Sequence, residues 1–214
     1  MNIIYLLFHG LSPYSGISKK ILHQVKGFEA CGHRVSLCTY SIADNGHRAR
    51  MINDEIIEDY GTGKPAAAKR RVSYQCIYRY AITHQVELIY VRSFHNANPF
   101  TIRLFSKLRK AGIKIAMEIP TYPYDSEYAG FPLVTRLGIQ VDKVFRKTLA
   151  KHVNAIVTFS DYHCIFGQRT IQISNGVDFD SIPLKKTVSK NTSVIHLLGV
   201  AEVHYWHGYD RLID

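Results

Sequence analysis

Short strand-like runs at residues 3–8, 34–40, 88–91, 114–117, 155–159 and 170–173 alternate along this 214-residue chain with longer amphipathic stretches. The first run, Ile3-Ile4-Tyr5-Leu6-Leu7-Phe8, carries no charged residue on either side of its pleat, so a strand there must be covered on both faces. Such coverage calls for helices above and below the sheet. The alternation therefore predicts an α/β chain with a Rossmann-like, doubly wound, mostly parallel sheet. A weaker strand signal lies at 55–58. Helices are predicted over 18–30, ending at Cys31-Gly32, over 65–85, over 99–110, ending at Ala111-Gly112, and over 131–152. The two glycines suit left-handed helix ends.

Composition narrows the class further. At 46% hydrophobic and 21% charged, the chain can bury a full core, and no tract is biased enough to stay disordered throughout. No apolar run is long enough to span a bilayer, and the first residues lack a basic leader, so a cytoplasmic protein is expected. Cys31, Cys38, Cys76 and Cys164 have no metal-ligand spacing and read as reduced, mostly buried thiols. No metal is expected. The net charge of +10 attracts phosphates, nucleic acid or an anionic membrane and does not choose among them. The basic residues are dispersed and no nucleic-acid module is present, which disfavours nucleic acid as the partner.

In an open α/β sheet, ligands bind beyond the carboxyl ends of the strands, so the loops that follow the predicted strands hold the candidate site residues. After the first strand, Ser15-Gly16 ends a loop that opens a helix, where backbone amides either form a tight turn or cradle an anion. After 88–91, Arg92 and His95 stand at a strand end with Asn96 and Asn98. They serve either as working groups or as an ion-pair partner and a helix cap. After 114–117 come Glu118, Tyr122 and Asp125 with further tyrosines and two prolines; tyrosines and carboxylates are the groups that stack on sugar rings and accept hydroxyl protons. A carboxylate at this strand end could act as a base or balance developing positive charge. The stretch 131–152 places Leu133, Val134, Leu137, Val141, Val144, Phe145 and Leu149 at helical spacing among Arg136, Lys143, Arg146, Lys147 and Lys151. That face either packs on the sheet or rests on anionic lipid headgroups.

Near the end, Ile171-Gln172-Ile173 runs into Ser174-Asn175-Gly176-Val177-Asp178, a polar stretch at 187–192 follows, and a second strand-turn-helix signal begins at 193. This pattern divides the chain into a domain at 1–186, a linker at 187–192 and the start of another domain at 193–214.

Taken in order, Ser15-Gly16, Gly32-His33-Arg34-Val35, Ile156-Val157-Thr158-Phe159-Ser160-Asp161, Ile173-Ser174-Asn175-Gly176-Val177-Asp178 and Trp206-His207-Gly208-Tyr209-Asp210-Arg211-Leu212-Ile213 resemble the amino-terminal part of family 4 glycosyltransferases. These are retaining enzymes of the GT-B fold, in which two Rossmann-like domains face each other across a cleft. The resemblance implies that 1–186 binds the acceptor and that 193–214 opens the nucleotide-sugar domain. It implies donor-phosphate contacts at Ser15, Gly16, Gly199, His207 and Gly208, acceptor contacts at Arg92, Tyr122 and Asp125, and cleft chemistry at His95 and Glu118. The substrates it implies are a nucleotide sugar and a saccharide or lipid-linked acceptor, with no separate cofactor and with peripheral contact at the inner face of the membrane. Glu118 stands where many members carry histidine, and Val200 and His207 stand where members carry arginine and lysine. The family's two-glutamate motif lies beyond Asp214, so the 214 residues alone are expected to show negligible transfer. The rival expectation is a non-catalytic acceptor- or membrane-docking module completed by a separate donor subunit.

Overall fold

The computed structural model describes residues 1–43, 45–93, 95–125, 133–181 and 211. The chain divides into two compact units, Met1–Val177 and Asp178–Asp214. In the second, the described residues are a 3-10 turn at Phe179–Ser181 and Arg211. The sequence-based linker at 187–192 lies outside the described residues, as does all of 193–214 except Arg211.

The first unit is α/β and doubly wound. Its elements run β1 (Asn2–Leu6), α1 (Gly16–Ala30), β2 (Arg34–Ile42), β3 (Arg48–Ile52), β4 (Glu55–Gly61), α2 (Gly63–Val72), α3 (Gln75–Thr83) and β5 (Leu88–Arg92). There follow α4 (Pro99–Lys110), β6 (Lys114–Ile119), α5 (Leu133–Ala150), β7 (Ala155–Thr158), β8 (Cys164–Ile165) and β9 (Gln168–Gln172). The strands form one sheet in the order β4-β3-β2-β1-β5-β6-β7-β9-β8. From β2 to β9 every neighbouring pair is parallel, while β3, β4 and β8 join antiparallel at the margins.

Alternation along β1 sorts its side chains to two cores. Ile3, Tyr5 and Leu7 meet Ile21 of α1 together with Tyr90 and Val157, whereas Ile4 and Leu6 join the cluster of α3, α4 and α5 that includes Ile77, Phe105, Leu108 and Leu149. Each such side chain withdrawn from water contributes about 1.5–3 kcal/mol. That double burial is why the first run is apolar on both faces.

Local signals set the helix ends. Ser15 accepts from the Ser18 amide at 3.4 Å to cap α1, and Asn98 and Thr101 cap α4 reciprocally behind Pro99. Gly32 and Gly112 follow the helices at φ +78° and +84°, a region where a side chain would crowd the next carbonyl.

Besides the two-residue strand β8, which was not predicted, two elements differ from the sequence reading. The predicted helix over 65–85 is two helices, because Ser73 turns extended and Tyr74 drops into the core. The break is held from β4: Ser73 Oγ donates to Glu58 at 2.9 Å and Tyr60 donates to the Ser73 carbonyl at 3.3 Å. Strand β3 was not predicted, because Arg48 and Arg50 read as surface residues, yet Arg50 is 1% exposed. Tertiary contacts decided both outcomes.

Candidate functional site

Because β1, β5, β6 and β7 are parallel neighbours, the loops after them leave from one edge of the sheet. Strand order reverses at β1, whose neighbours are β2 on one side and β5 on the other, and crevices for ligands form at such a reversal. A cleft of about 1280 Å³ opens here, bordered by Phe8, His9, Gly10, Tyr40, Arg50, Arg70, Tyr74, His95 and Asn98, among others. Gly10 permits the close approach of the two loops, since a Cβ there would lie 2.8 Å from the Tyr40 carbonyl oxygen. Gly16, by contrast, is exposed, and a Cβ there would meet nothing within 4 Å.

On the α1 side, Arg92 and Glu118 stand opposite each other in the β5–β6 register and form a buried ion pair through Arg92 Nη1 and Glu118 Oε1. Glu118 Oε2 accepts from Tyr90 Oη at 2.6 Å and from Gln24 Nε2 at 2.9 Å, and Gln24 in turn accepts from Tyr5 Oη at 2.6 Å. Burial first, and then the Glu118 charge, push both tyrosine hydroxyls far above their ordinary range, so they stay protonated as donors. One turn into α1, Lys20 donates to Asn175 Oδ1 at 2.7 Å and lies 3.5 Å over the Phe159 ring. Partial burial lowers its ammonium pKa, against the pull of Glu118.

The α5 side holds a second network. Asp142 of α5 is buried and accepts from the Ala97 amide at 2.9 Å and from Tyr124 Oη at 2.8 Å. His95 adopts φ +38°, a conformation that costs a non-glycine residue about 1–3 kcal/mol, and its ring lies 6.4 Å from that of Tyr124. Burial lowers its pKa against the opposing charge of Asp142, which favours the neutral imidazole. Arg146 grips Asp125 with two bonds of 2.7 and 3.2 Å, and Lys143 stands 3.6 Å from the same carboxylate. The Arg146 bonds lead in holding the Asp125 carboxyl below its ordinary range. Tyr122 packs edge-on against Tyr162 and Phe166.

The structure thus brings Arg92 and Glu118 into contact with each other and with α1, and places His95 apart from them, beside Tyr124 and Asp142. Glu118 is 0% exposed and both its oxygens are engaged, so it orients Arg92 and presents no surface to a substrate. Asp125 likewise ties its loop to α5. Gly199, His207 and Gly208 lie outside the described residues. Sequence reasoning missed Lys20, Gln24, Arg50 and Asp142. Lys20 and Gln24 stand four residues apart on the helix that opens at Gly16, a legible signal for two polar groups on one face; for Arg50, inside an unrecognised strand, no such signal existed.

The fold and this rim define an open, doubly wound α/β domain whose carboxyl edge carries Lys20, the Arg92–Glu118 pair and the amino-terminus of α1. No protein-family model, curated protein or solved structure matches the chain.

Replacing Glu118 by Leu strands the Arg92 charge in the core, and denaturant titration is expected to show a loss of about 3–5 kcal/mol. Adding Arg92→Leu to that variant is expected to restore at least half of the loss, and equal losses in single and double variants would contradict the pairing. A second measurement uses pH. A depressed carboxylate pKa contributes stability in full above its unfolded value, about 3.9, and loses that contribution as pH falls through the folded value. Asp125→Asn is therefore expected to cost about 1 kcal/mol at neutral pH, where the pair is partly solvated, and progressively less as pH falls below the unfolded value of about 3.9.

Proposed function

We propose that this chain is the acceptor-binding part of a retaining glycosyltransferase of the two-lobed GT-B type, which moves a sugar from a nucleoside diphosphate to a saccharide or lipid-linked acceptor. The observation that carries the reading is the reversal of strand order at β1, with the open amino-terminus of α1 at Gly16 and the Lys20 and Arg92 cations on the same side of the sheet. Cleaving the donor leaves negative charge on a diphosphate. Helix-end amides and fixed cations stabilise that charge without reorganising, a contribution of about 3–4 kcal/mol per well-placed donor. In this scheme Glu118 is a positioning residue that keeps Arg92 aimed, and the neutral imidazole of His95 can accept a hydrogen bond from an acceptor hydroxyl. The residues from 193 onward then begin the donor-binding lobe.

A peripheral contact with membrane fits one further observation. On α5, Leu133, Leu137 and Val144 are 68%, 57% and 71% exposed, with Arg136 and Lys147 exposed on the same helix, while Ile139 and Leu149 point into the core. Apolar side chains between basic ones suit the interface of an anionic bilayer. Among the described residues no helix is long and apolar enough to cross a membrane.

The transfer reading is tested by incubating the complete gene product with a panel of nucleoside diphosphate sugars and a lipid-linked saccharide extract. Nucleoside diphosphate release with retained anomeric configuration is expected, together with a loss of roughly a hundredfold for Gly16→Asp, which puts like charge against the departing diphosphate. Absence of release with every donor, or an inverted product, would overturn it. For the membrane contact, co-sedimentation with vesicles containing phosphatidylserine is expected to fall about tenfold for Leu137→Asp combined with Val144→Asp. Unchanged sedimentation would remove α5 from any membrane role.

A further inference from the structure

A group of arginines beside the cleft takes no part in the network around Glu118. Arg50 is buried, donates Nη1 to the Leu7 carbonyl at 2.7 Å and to the Thr39 carbonyl at 3.5 Å, and has no partner for its Nε–H. Arg70 of α2 sets its guanidinium 4.3 Å over the Tyr40 ring, and the Arg50 guanidinium lies 5.9 Å from the centroid of that ring. Arg48 donates to Tyr40 Oη at 2.9 Å. Like Arg50, both Arg48 and Arg70 keep a buried Nε–H without a partner. Among the described residues, no carboxylate pairs with any of the three.

Such an assembly is costly as it stands. Folding has removed most of a guanidinium from water, and like charges crowd one tyrosine. Burial, with the repulsion of Arg71, Arg48 and Arg50 added to it, lowers the pKa of Arg70, and Tyr40 offsets only part of this. Unsatisfied buried donors are uncommon in native proteins and call for a water, a ligand or an ion. Arg50 and Arg70 both border the cleft, beside Phe8, Gly10 and Tyr74. A carboxylate would answer one guanidinium fork. A phosphate carries more charge and three terminal oxygens, which matches two or three forks around a single centre.

We propose that the pocket formed by Arg50, Arg70 and Tyr40 binds a phosphate ester group. Assigning that phosphate to the acceptor rests on the transferase reading; the anion site itself does not. The phosphate can belong to a lipid headgroup or to a soluble sugar phosphate, and its apolar or sugar portion would extend along Phe8 and Tyr74.

The test is direct binding in the absence of any donor. Thermal unfolding is followed in chloride and in phosphate at equal ionic strength, with calorimetric titration of glucose 6-phosphate and of vesicles containing phosphatidic acid. Wild type is expected to gain in midpoint with phosphate, since a ligand bound only by the native state stabilises it. Arg70→Gln, on the surface of a helix, is expected to weaken glucose 6-phosphate or vesicle binding at least tenfold. Arg50→Met is expected to abolish the midpoint gain in phosphate relative to its own midpoint in chloride, which the loss of the bond to the Leu7 carbonyl lowers. Lys114→Gln, at the opposite edge of the sheet, is expected to respond as wild type does. Tighter binding of glucose 6-phosphate identifies a soluble acceptor, and tighter binding of vesicles a lipid headgroup. Equal midpoints in the two salts, or equal responses from wild type and Arg70→Gln, would overturn the site. Phosphate binding without sugar transfer in the earlier assay leaves the pocket standing and removes its acceptor role, and transfer without phosphate binding does the reverse.

Discussion

The carboxyl edge of this sheet depends on the burial of Arg92 and Glu118 side by side between β5, β6 and α1. An ion pair taken out of water repays its desolvation only when the remaining donors and acceptors are also satisfied. Here Tyr90 and Gln24 complete the carboxylate, and Tyr5 fixes Gln24. That chain of bonds runs from β1 through α1 to β5 and β6, so it links the strand where the order reverses to the helix that opens at Gly16. Its cost is largely specificity of packing: an apolar pair could bind these elements as tightly, but it would not hold a guanidinium at a defined place beside Lys20.

Much of this was legible in the residues. Continuous apolar strands could only be sheet interior, glycines after amphipathic stretches could only be helix ends, and Arg92, His95 and Glu118 stood at strand ends where a parallel sheet presents its side chains. All three are found at that edge. Their mutual roles could not be read, because alternation in the pleat decides which face a side chain takes, and the register of neighbouring strands is a tertiary fact. Glu118 looked like a free carboxylate in a loop rich in hydroxyl-binding groups; β6 running two residues further than expected, with Gln24 beside it, turns it inward. Asp125 was drawn away in the same manner by two cations on α5.

The elements that escaped prediction share a cause. The run Arg48 to Ile52 carries two guanidinium groups, and a strand reading requires at least one of them to be buried, which intrinsic preference argues against. The break at Ser73 has no glycine or proline to announce it. Both lean on β4, which pairs antiparallel with β3 and holds Ser73 through Glu58 and Tyr60. Along α5 the limitation was different: apolar residues at helical spacing were present on two faces, and periodicity alone does not say which face a sheet will take. The core took Ile139 and Leu149 and left Leu133, Leu137 and Val144 to solvent.

Comparing the two buried arginines shows how a protein with ten excess positive charges distributes them. Arg92 meets a carboxylate with saturated oxygens and closes a structural network. Arg50 meets backbone carbonyls at the ends of β1 and β2, which share its charge without neutralising it, and Arg48 and Arg70 stand next to it. An acid in the core of that second group would have been the simpler structural solution, as Glu118 demonstrates a few strands away. Leaving positive charge uncompensated beside an open cleft strengthens the attraction for whatever anion enters, because the field acts through low-dielectric walls instead of through water. On this argument the first arginine is fixed in place by the fold's own acid, and the second keeps its charge open to a ligand.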